Sequence, residues 1–409
     1  MIEAMMMTTN VSNLLYTLDN PNAYGTSYND NFSGAVGICE SYAIVGASNE
    51  DDAGGLSSGK VYIFSSGNGS LLYTLDNPNP YSTSSYDYFG SAVAISESYA
   101  IAGAYQEDDA GGSASGKAYI FSTNTGSLLH TLNNPNAYNT SASDYFGRKV
   151  GISESYAIVS ADSEDDAGGS ASGKAYIFST STGSLLHTLH NPTSYGASAG
   201  DYFAGAVEIC ESYAVVGAYG EDEAGSANSG KAYIFSTSTG SLLHTLDNPN
   251  AYDTPTDDYF GLRVAISESY AIVGTYNEDD PAGRLSSGKA YIYSTSTGSL
   301  LHILNNPNAY GGAYEDKFGS SVAISESYAI VGAYYEDDAE GLSSGKAYVF
   351  STSDGNLLYT LDNPNVYGTS DSDIFGGAVG ICESYAIVSG SGEDEAGYTG
   401  SGNAYVFYN

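Results

Sequence analysis

Short apolar runs alternate with breaks rich in Gly, Ser, Asn and Asp along nearly the whole chain. One stretch is representative. It runs FGSAVAIS from Phe89, the turn SES, YAIAGAY from Tyr99, the loop QEDDAGGSAS, GKAYIFS from Gly116, the turn TNTG, and SLLHTL from Ser127. Each run is short, rich in Val, Ile, Tyr, Phe or Leu, and bounded by turn formers, which is the signature of a strand. No stretch holds an apolar 3.6-residue period long enough for a helix. The pattern predicts four antiparallel strands per unit and almost no helix. In YAIAGAY both alternating sets are apolar or small, whereas a sheet with one wet face would alternate apolar and polar residues. This sheet is therefore expected to be covered on both faces. In the first run Phe89, Val93 and Ile95 share one side, and Gly90, Ala92 and Ala94 the other, which suits a crowded strand near an axis.

The unit repeats. The Phe opening the first run falls at Phe32, Phe89, Phe146, Phe203, Phe260, Phe318 and Phe375, at spacings of 57 residues with one of 58. Glu-Ser-Tyr recurs from Glu40, Glu97, Glu154, Glu211, Glu268, Glu326 and Glu383. A period of this size with four strand-like runs predicts an all-β, seven-bladed β-propeller of four-stranded antiparallel blades. The ends are offset: a lone fourth-strand motif, LLYTL from Leu14, opens the chain, and a third-strand motif, NAYVFYN from Asn403, closes it. Pairing 14–18 with the strand around 404–408 would complete the last blade and close the ring, leaving only short edges. Residues 1–13 then form a tail and 14–409 a single propeller. An open solenoid is the alternative, but it would not need offset termini.

The segments FGSAVAIS, AIVGAY and GKAYIF resemble the FG-GAP repeat of integrin α-chain propellers and microbial surface proteins, over residues 14–409. The Pro of the family's Gly-Ala-Pro is replaced by Tyr105, Tyr219, Tyr334 or Ser48. The integrin-type calcium loop lies between first and second strands, where this chain has only Ser-Glu-Ser, so that site does not carry over. The resemblance implies an extracellular adhesion or recognition role, although fold alone does not dictate function.

Charge narrows the partners. Eleven Lys and Arg stand against 48 Asp and Glu, for a formal charge of −37. Such a chain repels nucleic-acid phosphates and anionic membranes. No run is long and apolar enough to span a bilayer, and the opening MIEAMMMTTNVSNLL lacks the basic and apolar regions of a secretory signal. Surface display on a cell or virion therefore implies another route. Cys39, Cys210 and Cys382 occupy one position in repeats one, four and seven, where the others have Ser, and read as Ser substitutes rather than a disulfide framework. Asn10, Asn31, Asn68 and Asn139 head glycosylation sequons.

In a propeller the loops from strand two to three and from strand four to the next blade share one face. They carry 22 and 15 acids, or 37 of the 48. Long loops on one face are where binding sites usually lie. The sharpest motif is the acid triplet present in every repeat. Its first and third residues point the same way in extended chain: Glu50 and Asp52, Glu107 and Asp109, Glu164 and Asp166, Glu221 and Glu223, Glu278 and Asp280, Glu336 and Asp338, Glu393 and Glu395. Paired hard oxygens make these candidate calcium ligands, although the spacing does not match an EF-hand. The competing readings are a solvated acidic rim, or exposed pairing with a Lys ten or eleven residues on (Lys60, Lys117, Lys174, Lys231, Lys289, Lys346), replaced by Asn403 in repeat seven.

The second motif is Asn-Pro-Asn-Ala-Tyr and its variants. As a turn it would pack its Tyr between blades; as a recognition ring it would offer Tyr24, Tyr81, Tyr138, Tyr195, Tyr252, Tyr310 and Tyr367 to a glycan or protein. His130, His187, His244 and His302 share a fourth-strand site with Tyr16, Tyr73 and Tyr359, which reads as packing rather than catalysis; His190 is a lone loop substitution. Phosphate loops, catalytic triads and Cys/His metal spacings are missing from the sequence. Repeats sharing every motif point to a non-enzymatic binder or, alternatively, a structural module of a larger assembly. A hydrolase or lyase would need a singular residue, and only Asp162 and Glu208 break the acid pattern within strands. The oligomeric state is left open.

Overall fold

A computed structural model describes residues 13–22, 30–51, 55–79, 85–108, 112–136, 142–165, 170–192, 200–222, 227–249, 257–279, 286–307, 315–337, 343–364, 373–393 and 400–409. Described residues form seven four-stranded antiparallel sheets. Blade two is typical, with strands Ala92–Ile95, Tyr99–Ala104, Lys117–Ser122 and Leu128–Asn133. The first strands adjoin one another in a closed ring, the last beside the first. The second strand's two faces are buried alike, as the apolar sets in YAIAGA require.

The core consists of seven clusters, each lying between neighbouring blades. Between blades one and two, Ile44, Val61, Ile63 and Leu75 pack on Phe89, Ala102, Tyr119 and Phe121. Every blade thus buries both faces, at about 25 cal/mol per Å² of apolar surface covered. Blade seven joins Phe375–Ile381, Tyr385–Gly390 and Asn403–Tyr408 to the N-terminal Asn13–Asp19, which pairs antiparallel with the last strand of the chain. Leu18 is buried at this seam with Phe32, Tyr62 and Val406.

Close backbone approach explains the repeated glycines. Gly59, at φ 82°, lies so near the next blade that a Cβ there would fall 2.0 Å from the Phe89 carbonyl oxygen. The blades are also latched on the short-turn face. The carboxylate of each Glu-Ser-Tyr accepts a backbone N–H from the preceding blade, as Glu97 does from Ser41 at 3.2 Å and Glu154 from Ser98 at 3.1 Å. Glu40 accepts from Ser384 at 3.1 Å and so carries the ring of latches across the seam. Burial raises the Glu154 carboxyl, but hydrogen bonds from Ser98 and Ser96 outweigh it and leave it below its ordinary value. Cys39 occupies the Ser96 position and directs its thiol toward Glu97; burial is the larger cause of its raised pKa.

The Tyr/His site of the fourth strand packs against the next blade. A Cβ on Gly126 would sit 2.6 Å from Tyr73, and one on Gly183 would sit 2.8 Å from His130. Either ring covers that hairpin glycine, so the two residues interchange.

Candidate functional site

The loop face begins where the second strand ends. In blade two the chain turns at Gln106, and Glu107 folds back beneath the loop to become fully buried. Its carboxylate accepts from the Tyr119 hydroxyl at 2.7 Å and from the ammonium of Lys117. Lys117 and Tyr119 are two apart on one strand, so they reach the same side. The same clasp recurs: Glu50 with Tyr62, Glu164 with Tyr176, Glu221 with Tyr233, Glu278 with Tyr291, Glu336 with Tyr348 and Glu393 with Tyr405. Lys60, Lys174 and Lys289 join their blade's clasp at 3.2, 2.5 and 2.5 Å. Lys231 and Lys346 bond outward to Asp247 and Asp362.

The Lys pairing expected at an exposed rim is therefore a buried one. The rim reading placed the first acid in water, whereas the adjacent tyrosine hydroxyl gives it an interior partner. A buried carboxylate needs such donors, because desolvating even a neutral polar group without them costs about 2–7 kcal/mol, and an ionised carboxylate far more. Desolvation dominates the titration: Glu50 and Glu107 are pushed up to about 7, Glu336 and Glu393 to about 8. In blade seven Asn403 replaces the Lys, and Oε1 of Glu393 has no hydrogen-bond partner.

The middle acid of the triplet also has a local partner. Asp51, Asp108, Asp165, Asp222, Asp279 and Asp337 each accept a backbone N–H across the loop at 2.8–2.9 Å, from Ser57, Ala114, Ala171, Asn228, Ser286 and Ser343. The third acids, Asp52, Asp109, Asp166, Glu223, Asp280, Asp338 and Glu395, lie outside the described residues. A chelate of first and third acids would have to draw each first carboxylate from its tyrosine. Among the described residues no group of three or more His, Cys, Asp or Glu is placed to hold a metal ion.

The Asn-Pro-Asn turn is likewise clasped. Nδ2 of Asn20 and Nδ2 of Asn22 both donate to Asp30, at 2.9 and 2.7 Å, and Asn22 N–H donates to Asn20 Oδ1 at 3.0 Å. Asn134 and Asn136 hold Asp144 in the same way. These Asn residues build the turn, as the structural reading of the motif expects. The ring Tyr24, Tyr81, Tyr138, Tyr195, Tyr252, Tyr310 and Tyr367 lies outside the described residues.

What remains on this face is what the repeats do not share. Five of the eleven cations fall outside the repeated Lys: Arg148, Lys149, Arg263, Arg284 and Lys317. Arg284 lies outside the described residues; Arg148, Lys149 and Arg263 act on one another electrostatically, and Lys317 lies over Tyr276. Arg148 and Lys149 follow the Phe-Gly of blade three, at positions held by Ser91 and Ala92 in blade two. Arg148 reaches Asp162 at 2.9 Å and lies 5.9 Å from the Tyr145 ring centroid. Arg263 donates to the carbonyls of Ser320 and Leu262 at 2.8 and 2.9 Å. Lys317 sits 5.0 Å over Tyr276 and donates to Asn277 at 2.8 Å. The Lys149 backbone bonds to Ser160 in both directions, but its ammonium has no hydrogen bond or ion pair among the described residues. Burial, then the like charges of Arg263 and Arg148, pull it down to about 8.

A cavity of about 390 Å³ opens here, lined by Asn31, Ser48, Tyr88, Tyr105, Arg148 and Lys149 among others. Tyr88 and Tyr105 stack at 5.8 Å between centroids, and Tyr145 meets Tyr105 edge-on. Asp162, an acid with no counterpart in the other repeats, is 2 % exposed; its Oδ1 has no hydrogen-bond partner. The other singular acid sits deeper. Glu208 faces a channel cavity of about 240 Å³ walled by Val36, Ile38, Val93, Ile152 and Ile266. It accepts the N–H of Ile209 at 3.0 Å, and burial pushes it up to about 7. A Cβ on Gly151 would lie 2.5 Å from its Oε1, so the neighbouring blade's glycine makes its room. Asp162 and Glu208 thus occupy different depths, one against a cation and one among aliphatic walls.

No curated protein matches the sequence significantly. A family model described as FG-GAP repeat matches residues 23–64, 80–121, 136–178, 193–235, 250–293 and 308–350, six segments covering more than half of the chain. Six matched repeats and seven blades agree on one assignment: the chain belongs to the FG-GAP repeat family of β-propellers, a fold consistent with a non-enzymatic binding or structural module.

Proposed function

We propose that this propeller is a recognition or adhesion module of a cell or virion surface, engaging a glycan or protein through its loop face. The observation that carries the reading is the division of labour on that face. The repeated acids and asparagines close on partners within their own blades and hold the loops. Two of the five unrepeated cations, Arg148 and Lys149, line one tyrosine-walled opening, with Asp162 bonded to Arg148. A fixed ring with one singular mouth suits recognition, because binding sites are concave, largely pre-formed and few per protein. Calcium would enter only through the third acids of the triplets. A structural module is the second reading, favoured by the near-identity of the blades.

The test displays the full chain on a glycan array, with and without calcium, and follows self-association by sedimentation velocity. Retention of a defined set of glycans by a monomer supports recognition. A blank array together with concentration-dependent assembly would overturn it in favour of the structural module.

A further inference from the structure

The loop-face mouth differs in charge from everything around it. The chain carries a formal charge of −37, yet Arg148, Lys149 and Arg263 influence one another electrostatically across this mouth. Asp162 is the one carboxylate acting on Lys149 there, and it is already held by Arg148. The mouth therefore holds a surplus of cations, and the Lys149 ammonium is half-buried with no acceptor among the described residues. An ammonium drawn from water without a partner is unfavourable, and the favourable completion is an anion. The walls narrow the choice. Asn31 and Ser48 are bonded to each other at 3.0 Å but retain further donor and acceptor capacity. The Ser91 hydroxyl is buried with no hydrogen-bond partner, and Tyr88 and Tyr105 supply aromatic surface. Hydroxyl-directed polar groups beside aromatic rings suit a pyranose; the cations suit a carboxylate on it. The cavity, at about 390 Å³, falls within the range of small-ligand pockets.

We propose that the channel mouth binds a carboxylated sugar, its carboxylate on Lys149 and Arg148 and its ring and hydroxyls against Tyr88, Tyr105, Asn31 and Ser91. This rests on the recognition reading and names the ligand class of that face.

Titration calorimetry of the full chain would compare glucuronate, glucose as the neutral match, inorganic sulfate and a glutamate-rich peptide. Glucuronate is expected to bind about tenfold or more tightly than glucose, the usual worth of a charge-assisted bond, and more tightly than sulfate, which lacks the ring and hydroxyls that meet Tyr88, Tyr105, Asn31 and Ser91. Lys149→Met should weaken glucuronate by a similar factor, with unfolding midpoint unchanged, since four other blades carry Ala at this position (Ala35, Ala92, Ala206 and Ala378), with Arg263 and Ser321 in the remaining two. Lys149→Arg should keep most of the affinity. Equal affinity for glucose, or an unaltered Lys149→Met, overturns the proposal. Sulfate binding as tightly as glucuronate reduces the mouth to a bare anion site and also overturns it. Peptide binding with glucuronate silent transfers the site to a protein ligand. If glucuronate fails while the array still retains other glycans, this assignment falls and the recognition reading stands; if both are blank, both fall.

Discussion

Tyr348→Phe removes one oxygen from the blade-six clasp and leaves its shape intact. Both Glu336 oxygens accept from the Tyr348 hydroxyl, at 2.6 and 2.7 Å, while Lys346 bonds outward to Asp362. The hydroxyl is the carboxylate's only direct donor that we find among the described residues. Losing a hydrogen bond to a buried charged group costs about 1.5–3 kcal/mol. An unfolding entropy of about 0.9 kcal/mol/K, the usual per-residue value for a chain of 409 residues, turns this into a Tm lower by about 2–3 °C. The loss should also depend on pH. Desolvation raises Glu336 to about 8, above its ordinary 4.5, so the folded state holds more protons between those values. The stability gained from the neutral acid is fully present below 4.5 and fades as pH rises to about 8. Without the hydroxyl, which favours the carboxylate, the folded pKa climbs further. The penalty should therefore be small at pH 6, where the neutral acid needs no donor to stabilise a charge, and larger at pH 9, where the wild-type acid is mostly ionised. Tyr291→Phe is the control, because Glu278 keeps Lys289 at 2.5 Å; it should cost about 1 kcal/mol with little pH dependence. Calorimetric melts of both variants at pH 6 and 9 decide the matter. Equal losses at both pH values would refute the claim that the hydroxyl supports a buried charge.

Three further outcomes are expected. Leu18→Ala should destabilise by about 2–5 kcal/mol, as should its blade-two equivalent Leu132→Ala, if the N-terminal strand closes the ring; a loss under about 1 kcal/mol at Leu18 alone, in chemical denaturation, would mean the seam is open. Cys210→Ser should change stability by less than about 0.5 kcal/mol. Burial and then Glu268 push the Cys210 thiol up to about 12, so the native protein should react with iodoacetamide far more slowly than the unfolded chain at pH 8. Calcium added after chelation, at fixed ionic strength, should raise Tm no more than magnesium does, because the first and middle acids of the triplets already have partners. A calcium-specific rise would, by mass action, place an ion on the folded rim.

The fold was legible because its signals are periodic. Seven Phe at one spacing fixed the blade count, two-faced apolar runs required blades covered on both sides, and offset ends predicted the pairing now seen between Leu18 and Ala404. The clasps were harder to read because the eye groups residues by loop. Glu107 sits in a stretch of acids and glycines, where a calcium ligand, a solvated rim and pairing with Lys117 all fit the sequence; the partner not singled out is Tyr119, twelve residues on. Lys117 and Tyr119 share a strand face, and every repeat pairs a Tyr with Lys, or with Asn403, at that spacing. A buried phenol next to a polar strand end implies an acceptor, and the triplet supplied it.

The channel mouth escaped for the opposite reason. Averaging over repeats, which reveals the blades, erases residues that occur once. Asp162 stands out in the sequence without an explanation. Its partner Arg148 lies fourteen residues earlier, in the inner strand's approach, where the other blades carry Gly, Ser or Leu. Against 48 acids, five unrepeated cations look like noise in the net charge. In a fold of identical units they carry the opposite weight. The repeated Glu, Tyr and Glu-Ser-Tyr residues described above hold a blade to itself or to its neighbour. A lysine present once, at a site where its counterparts are chiefly alanine, answers no structural need of the repeat. Its half-burial without an acceptor among the described residues then favours a ligand at Lys149 over one on the more conspicuous acidic rim.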